Sequence, residues 1–206
     1  MHITAEHIRR ALSGSLRGME SHQKMMPPNR RLQVASDDKK RLKPSSVLLL
    51  LFPEGDDLFV CLIKRPATMK HHAGQVAFPG GQIDQGEEAL ETALRETWEE
   101  IGIPASQIEI LGALSELFVD VSGFLIKPFV GWTEKRPQFS INPFEVEKIL
   151  MFPLLSIRDA LAETELETVS GRLKVPCFPF EGEVIWGATA MILSEFYDVL
   201  EDHLFL

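Results

Sequence analysis

The chain has 206 residues, of which 30 are acidic and 21 basic, so its formal net charge at pH 7 is −9. This balance argues against a protein that coats DNA or anionic membranes by bulk charge. It leaves room for a phosphate-bearing ligand, because divalent cations bridge carboxylates to phosphates. Hydrophobic residues make up 45% of the chain, an ordinary share for a globular domain, which excludes wholesale disorder.

The apolar residues and the cysteines bear on location. The longest strongly apolar run, Val47 to Phe52, is far shorter than the roughly 20 residues that span a bilayer. Residues 1–14 lack the continuous apolar core of a secretory signal. Cys61 and Cys177 lie in apolar surroundings and are predicted to be buried, reduced thiols. We therefore expect a cytoplasmic protein with neither a membrane nor a nucleic acid as its partner.

The N-terminal part of the chain differs in composition from the rest. Ile3 to Leu16 has the spacing of an amphipathic helix. Ser21 to Pro44 is polar, contains the pair Pro27-Pro28 and carries seven lysines and arginines; we interpret it as a linker or a strap that lies on the domain, with solvated charges. The sequence thus predicts an N-terminal helix and strap over residues 1–44 and a globular domain over residues 45–206.

The globular part mixes strands with a few helices, which indicates an α/β or α+β domain. A hairpin opens it, and Lys64 to Gly81 follows as a loop rich in basic and small residues. Gly102 is placed to end the next helix. The predicted strands include Ser46–Phe52, Leu58–Ile63, Leu173–Phe180 and Val184–Ile185, with short strand-like runs inside Ile108–Leu117, Gly123–Trp132 and Lys148–Pro153. The predicted helices are Glu87–Ile101, Leu154–Thr164 and Ala188–Leu200.

The helix Glu87–Ile101 carries an unusual cluster of acidic residues. At about 100° per residue, Glu96, Glu99 and Glu100 fall within about one turn, beside an apolar face that can pack on a sheet. Like charges at this spacing repel one another, and the last turn of a helix disfavours anions. A divalent metal ion would remove this cost. The helix alone leaves two interpretations open, a metal site or a solvated acidic face.

A longer pattern decides between them. It reads G-x5-E-x7-R-E-U-x-E-E-x-G-U, where U is a bulky apolar residue, and its fixed letters are matched by Gly81, Glu87, Arg95, Glu96, Glu99, Glu100 and Gly102. This is the signature of the Nudix hydrolases, which the chain resembles. Thr97 stands where the first apolar residue is usual, a departure that affects packing rather than ligands. The resemblance implies an α/β Nudix fold in which a mixed β-sheet is sandwiched between α-helices (α/β/α).

The resemblance also implies roles for single residues. Glu96 and Glu100 match the main ligands of Mg²⁺ or Mn²⁺, and Glu99 matches a further ligand or a general base. Arg95 matches the arginine that orients the neighbouring glutamate, and Gly81 the glycine whose carbonyl approaches the metal. Bound metals screen a diphosphate and activate water, and a nearby glutamate takes its proton. Which glutamate does so stays open.

The segment before this pattern resembles one branch of the family. Cys61 to Gly80 is similar to the segment of coenzyme A (CoA) diphosphatases, and Gly74 to Gly81 matches it letter for letter. Lys70 replaces an arginine, which keeps the charge but loses bidentate phosphate geometry. Because CoA carries a 3′-phosphate apart from its diphosphate, basic side chains are expected here, although they could also only balance the acidic helix. The candidate substrate-binding residues are Lys64, Arg65, Lys70, His71, His72 and Gly80.

Downstream segments extend the resemblance over about residues 46 to 200. Glu145 lies in one of them, as a loop carboxylate that approaches the metals, a base, or a plain surface acid. The implied reaction is hydrolysis of CoA or acyl-CoA to 3′,5′-ADP and (acyl-)4′-phosphopantetheine. Two alternatives remain open: a diphosphatase for another small nucleotide such as ADP-ribose or a nucleoside triphosphate, and a binding module without catalysis. Whether the chain is a monomer or a homodimer is also left open.

Overall fold

The computed structural model of the chain describes residues 3–35, 41–69, 72–168 and 171–204. The helices are α1 (Ala5–Leu12), α2 (Met19–Lys24), α3 (Ala89–Ile101), α4 (Ile157–Ala160) and α5 (Gly187–Leu204). The strands are β1 (Lys43–Glu54), β2 (Asp57–Lys64), β3 (Val76–Ala77), β4 (Gly80–Gln82), β5 (Glu109–Ala113), β6 (Leu117–Val119), β7 (Phe124–Trp132), β8 (Lys148–Pro153), β9 (Ala162–Thr168), β10 (Gly171–Phe180) and β11 (Glu183–Trp186).

Most of the strands form one mixed sheet. Its main path runs β3-β2-β1-β7-β5, while β4 pairs with β1, β6 with β7, and β8 with β2. The pairing of β1 with β7 is parallel and the other pairings are antiparallel. A second, antiparallel sheet has the order β11-β10-β9.

Strand β1 explains why the sheet is covered on both faces. Its apolar run is buried continuously, as expected for a strand with a packed layer on each side. Leu48, Leu50 and Phe52 pack in a cluster with α3. Leu49 and Leu51 belong to the other cluster, with α1 and α5. The predicted mixed sheet between helices is therefore confirmed, with α3 on one face and α1 and α5 on the other.

The predicted helix over Leu154–Thr164 is wrong. Only Ile157–Ala160 is α-helical, after a 3₁₀ turn at Leu154–Ser156, and residues 162–168 form strand β9. The side chains of β9 alternate between exposed glutamates and half-buried Thr164 and Leu166, which is the period of a strand. Leu166 lies opposite Leu173 of β10, so tertiary pairing selected the strand.

Other predicted boundaries also change. The loop Lys64–Gly81 contains the short strands β3 and β4. The first helix ends at Leu12 rather than Leu16 and is capped by Ser13. Ser21 and three residues after it belong to the short helix α2, inside the segment interpreted as a linker or strap. Both cysteines are free and buried, as predicted. Among the described residues, no helix is long and apolar enough to cross a membrane.

The N-terminal segment packs against the last helix. Helix α1 contributes Ile8 and Leu12 to the same core cluster as Phe196 of α5, and Met25, after α2, is also fully buried there. Three carboxylates of α5 hold polar partners from this segment. Arg17 pairs with Asp202, His22 with Glu195 at 3.0 Å, and Lys24 with Asp198 at 2.7 Å. We call these contacts the α5 clamp.

Candidate active site

The acidic helix α3 is well defined at both ends. Glu88 is the N-cap, and its side chain and that of Glu91 form a reciprocal capping box. Gly102 ends the helix in the left-handed conformation, with φ of 75°, which glycine adopts without a steric penalty. Ala93 and Ile101 face the core. The apolar face is thus fixed on the sheet, and the turn with Glu96, Glu99 and Glu100 is held at its edge.

Three carboxylates converge at this edge. Ligand oxygens of Glu96, Glu100 and Glu145 all lie within 4.8 Å of one another; we call these residues the acid trio. Glu145 reaches α3 because its loop is tied to the end of the helix. The Asn142 backbone N–H donates to the Glu100 carbonyl at 2.9 Å, and Asn142 Nδ2 donates to Glu145 Oε1 at 3.1 Å.

The acid trio is electrostatically costly without a cation. Burial raises the pKa of Glu100 from an ordinary 4.5 to about 8, although the Gly80 N–H and Arg65 partly oppose this. Burial also raises the pKa of Glu96. Oxygen ligands around a shared point, whose charges neighbouring protein groups offset only in part, are the donor set that Mg²⁺ and Mn²⁺ prefer. The residues present therefore fit a divalent metal ion.

Arg95 organises the carboxylates next to the acid trio. Its Nε and Nη2 donate to the two oxygens of Glu87 at 2.8 and 3.1 Å. Its Nη1 donates to Glu96 at 2.8 Å and to Glu99 at 3.1 Å. The contact with Arg95 lowers the pKa of Glu87 to about 2. Glu99 thus lies against Arg95 and outside the acid trio, whereas Glu96 is held between Arg95 and the trio.

Two glycines allow the backbone to approach these carboxylates. A Cβ added to Gly81 would lie 2.6 Å from Glu96 Cδ, and one added to Gly80 would lie 2.7 Å from the Cα of Val47. Gly80, with φ of 151°, also donates its N–H to Glu100 Oε2 at 3.0 Å. Any larger residue at either position would displace a carboxylate or a strand, so the glycines are required by space.

The predicted basic residues end in different environments. Arg65 Nη1 donates to Glu100 Oε1 at 3.3 Å, and within the described residues its Nε is buried without a hydrogen-bond partner. Lys64 lies between Glu147 and Glu183, at 3.0 and 3.2 Å. His72 Nδ1 donates a hydrogen bond to Gln75 Oε1 at 2.9 Å. Lys70 and His71 lie outside the described residues.

A cavity of about 650 Å³ begins beside the acid trio. Gly80, Gly81 and Arg65 line it, as does His72, whereas Lys64 does not. Another wall comes from residues 26–32 of the N-terminal strap, and the start of α5 supplies a third. The volume is ordinary for a small-molecule site. Sequence reasoning missed the contribution of Arg30 and Arg31 in the strap; their charge was the available signal, but it was interpreted as solvated.

Comparison with known proteins shows the family. The model of the NUDIX domain matches residues 42–169. The chain belongs to this family. A protein of Photorhabdus laumondii named "Uncharacterized Nudix hydrolase NudL" is 36% identical over 173 residues, which cover 82% of this chain and 88% of that protein. The NudL protein of Pectobacterium atrosepticum is 37% identical over 65% of this chain and 71% of its own length. "Nudix hydrolase 3" of Caenorhabditis elegans is 31% identical over 74% and 65%.

Solved structures agree on the fold. A C. elegans Ap4A hydrolase in a binary complex superposes with a TM-score of 0.50 at 19% identity, over 57% of this chain and 85% of that one. A MutT protein from Methanosarcina mazei Go1 also gives 0.50, at 18% identity over 76% and 93%. Membership of the NUDIX family, with relatives named Nudix hydrolase, makes this protein an enzyme that hydrolyses phosphoric anhydride bonds in diphosphates, and such enzymes generally need a divalent ion such as Mg²⁺.

Proposed function

We propose that this Nudix hydrolase cleaves the diphosphate of CoA or acyl-CoA to 3′,5′-ADP and (acyl-)4′-phosphopantetheine. One observation carries the proposal. The segment that resembles the CoA diphosphatases, Gly74 to Gly81, runs through strands β3 and β4. Six of its eight residues line the cavity, and two of these, Gly80 and Gly81, lie against Glu100 and Glu96 of the acid trio. The residues that mark the branch therefore lie where a nucleotide next to the metal site would be bound.

The acid trio and its neighbours would hold Mg²⁺ or Mn²⁺. The main ligands would be Glu96 and Glu100, while Glu145 from the acid trio, Glu99 and the Gly81 carbonyl are candidates for further ligands. Such an ion supplies charge neutralisation of the diphosphate and lowers the pKa of a bound water. Arg95 keeps the carboxylate of Glu96 in position by its 2.8 Å contact.

The reaction replaces one anhydride bond with one bond to water. The water oxygen bonds to phosphorus, the P–O bond to the leaving phosphate breaks, and the water proton passes to a carboxylate. Two carboxylates are the candidates for this base, Glu99 beside Arg95 and Glu145 in the loop. Arg65 lies at the junction of trio and cavity, where its guanidinium is placed to hold a phosphate oxygen.

The other predicted binding residues differ in how directly they would contact the substrate. His72 and Gly80 line the cavity and are offered as substrate contacts. Lys64 acts at most indirectly, because Glu147 and Glu183 already hold its ammonium group. Lys70 stays a sequence-based candidate. The proposal also includes a cytoplasmic location and a small-molecule nucleotide as the sole class of partner. The oligomeric state is to be measured by sedimentation.

A substrate panel tests the proposal. The protein is incubated with Mg²⁺ or Mn²⁺ and CoA, acetyl-CoA, ADP-ribose or nucleoside triphosphates, and the products are identified by mass. We expect 3′,5′-ADP from CoA or acetyl-CoA, and no product after chelation of the metal. Glu96→Gln is the matched inactive variant. Cleavage of ADP-ribose with CoA left intact would contradict the CoA assignment, and full activity of Glu96→Gln would contradict the metal site.

A further inference from the structure

The charge of the cavity is opposite to that of the chain. Among the described residues, three arginines and one carboxylate, Asp120, line the cavity, although the chain as a whole carries a charge of −9. Low-dielectric walls with one dominant sign concentrate ligands of the opposite sign. The charged part of this otherwise largely apolar lining therefore favours an anion, in addition to any charge that the acid trio and its metal would handle.

The basic residues of the segment that precedes helix α3, Cys61 to Gly80, account for only part of the positive charge of the cavity lining. Arg65 is directed to Glu100 at 3.3 Å, and Lys64 is outside the cavity between two carboxylates. The two remaining arginines of the lining, Arg30 and Arg31, come from the N-terminal strap. This strap precedes residues 42–169, which match the family model. The strap thus adds positive charge that the family pattern does not include.

The strap is held in place before substrate arrives. The α5 clamp fixes its start, and the backbone N–H of Gly18 donates to Glu195 at 3.1 Å. Met25 is buried immediately before the lining residues. Pro27 and Pro28 then restrict the backbone, and Asn29 turns it with φ of 59°. Arg30, half-buried, follows this turn directly. Because these constraints are present in the free protein, less conformational entropy is lost on binding.

We propose that Arg30 and Arg31 form a second phosphate subsite in this cavity, which recognises a phosphate group of the substrate other than the scissile diphosphate. The guanidinium group binds phosphate oxygens through paired N–H donors. Under the proposed function, on which this assignment of the ligand rests, that group is the 3′-phosphate of CoA. The strap therefore selects substrates with a phosphorylated ribose over those without one.

Binding of product nucleotides tests the subsite without any reaction. Affinities for 3′,5′-ADP and 5′-AMP are measured by calorimetry with the full chain and with the double variant Arg30→Gln/Arg31→Gln. We expect the wild type to bind 3′,5′-ADP about 10- to 100-fold more tightly than 5′-AMP, the range of one to two charge-assisted hydrogen bonds. The double variant should lose this preference and keep its affinity for 5′-AMP.

Two further variants control the experiment. Arg10→Gln removes an exposed arginine of α1 that does not line the cavity, and it should leave the preference unchanged. Arg30→Lys/Arg31→Lys keeps the charge and should retain part of the preference. Thermal melting compares the folding of all variants with that of the wild type. If the double Gln variant unfolds, the preference for 3′,5′-ADP over 5′-AMP is measured with the Lys variant and with the single substitutions Arg30→Gln and Arg31→Gln.

The measured affinities distinguish a failure of the arginine subsite from a failure of the CoA assignment. Equal affinity of the wild type for both nucleotides overturns the subsite, as does a preference that survives both arginine substitutions. A preference that depends on the arginines in a protein that leaves CoA intact supports the subsite and contradicts CoA as the substrate. Steady-state rates with CoA and dephospho-CoA add a second measurement, in which the Gln variant should raise KM for CoA alone.

Discussion

Glu100 is the carboxylate whose replacement separates stability from metal binding. Its side chain is 1% exposed, and burial raises its pKa from 4.5 to about 8. Without metal, the folded protein keeps a proton that the unfolded chain releases above about pH 4.5. Metal-free stability therefore falls as the pH rises from about 4.5 to about 8. At pH 7 the 2.5 units above 4.5, at 1.36 kcal/mol each, correspond to roughly 3 kcal/mol.

Glu100→Gln removes the group that must bind a proton on folding above about pH 4.5, and it retains an oxygen that can accept from the Gly80 N–H. We expect the metal-free variant to be more stable than the wild type at pH 7 by up to about 3 kcal/mol, or roughly 6 to 12 °C in melting temperature for a chain of this size. The variant should be inactive and gain no stability from Mg²⁺. Melting curves at pH 5, 7 and 8, with chelator and with Mg²⁺, measure both effects.

Glu99→Gln is the matched control for stability, because the Glu99 side chain is 40% exposed and lies outside the acid trio. Its metal-free melting temperature should stay near or below that of the wild type at all three pH values. The reasoning is refuted if metal-free Glu100→Gln melts at or below the wild type at pH 7 and 8. It is refuted equally if Mg²⁺ stabilises the variant as much as the wild type.

Three further predictions concern residues around the site and the strap. Gly81→Ala should lower kcat at least about tenfold with little change in melting temperature, because its Cβ would collide with Glu96 and displace a carboxylate of the site. Gly112→Ala is the control, because its Cβ would approach Leu12 of the core at 3.1 Å and no residue of the acid trio, and equal rates for both would contradict the expectation. Arg95→Lys loses the paired contacts with Glu87, so activity should need more Mg²⁺; an unchanged Mg²⁺ titration would exclude a positioning role. His22→Ala leaves the buried Glu195 with the backbone N–H groups of Gly18 and Ser115 as its donors and should cost about 1 to 3 kcal/mol in urea unfolding for the lost hydrogen bond to a charged group, whereas an unchanged free energy of unfolding would show that the His22 contact adds nothing.

The sequence predicted the elements whose patterns are local. Helix α3 has an apolar face, a capping box and a C-terminal glycine. Each of these patterns depends on residues that are close together in the sequence. The continuous burial of β1 follows from a run of leucines with no polar interruption. Strand β9 could not be predicted in the same way. Its glutamates permit either a helix or a strand, and only the partner strand β10, brought by the fold, decides.

The same distinction holds for the site. Glu96 and Glu100 are four residues apart on one helix, so their convergence follows from helix geometry. Glu145 lies far along the chain, and its approach depends on Asn142 contacting the end of α3. The pairing of Lys64 with Glu147 and Glu183 and the place of the strap beside the cavity are long-range contacts. Such contacts leave no periodic signal in the sequence, which is why the charges of the strap were interpreted as solvated.

The α5 clamp has a consequence for where the folding unit begins. A chain started at residue 42 would retain the whole acid trio and the complete match to the family. It would also leave Glu195 and Asp198 of α5, both buried, without His22, Ser21 and Lys24. The truncated chain would also lose the burial of Ile8, Leu12 and Met25 against α5, and each large apolar side chain contributes about 1.5–3 kcal/mol when buried, a large part of the 5–15 kcal/mol that holds a typical domain folded. The first forty residues are therefore part of what keeps the catalytic domain folded, and truncation to the family boundary should yield an unstable protein.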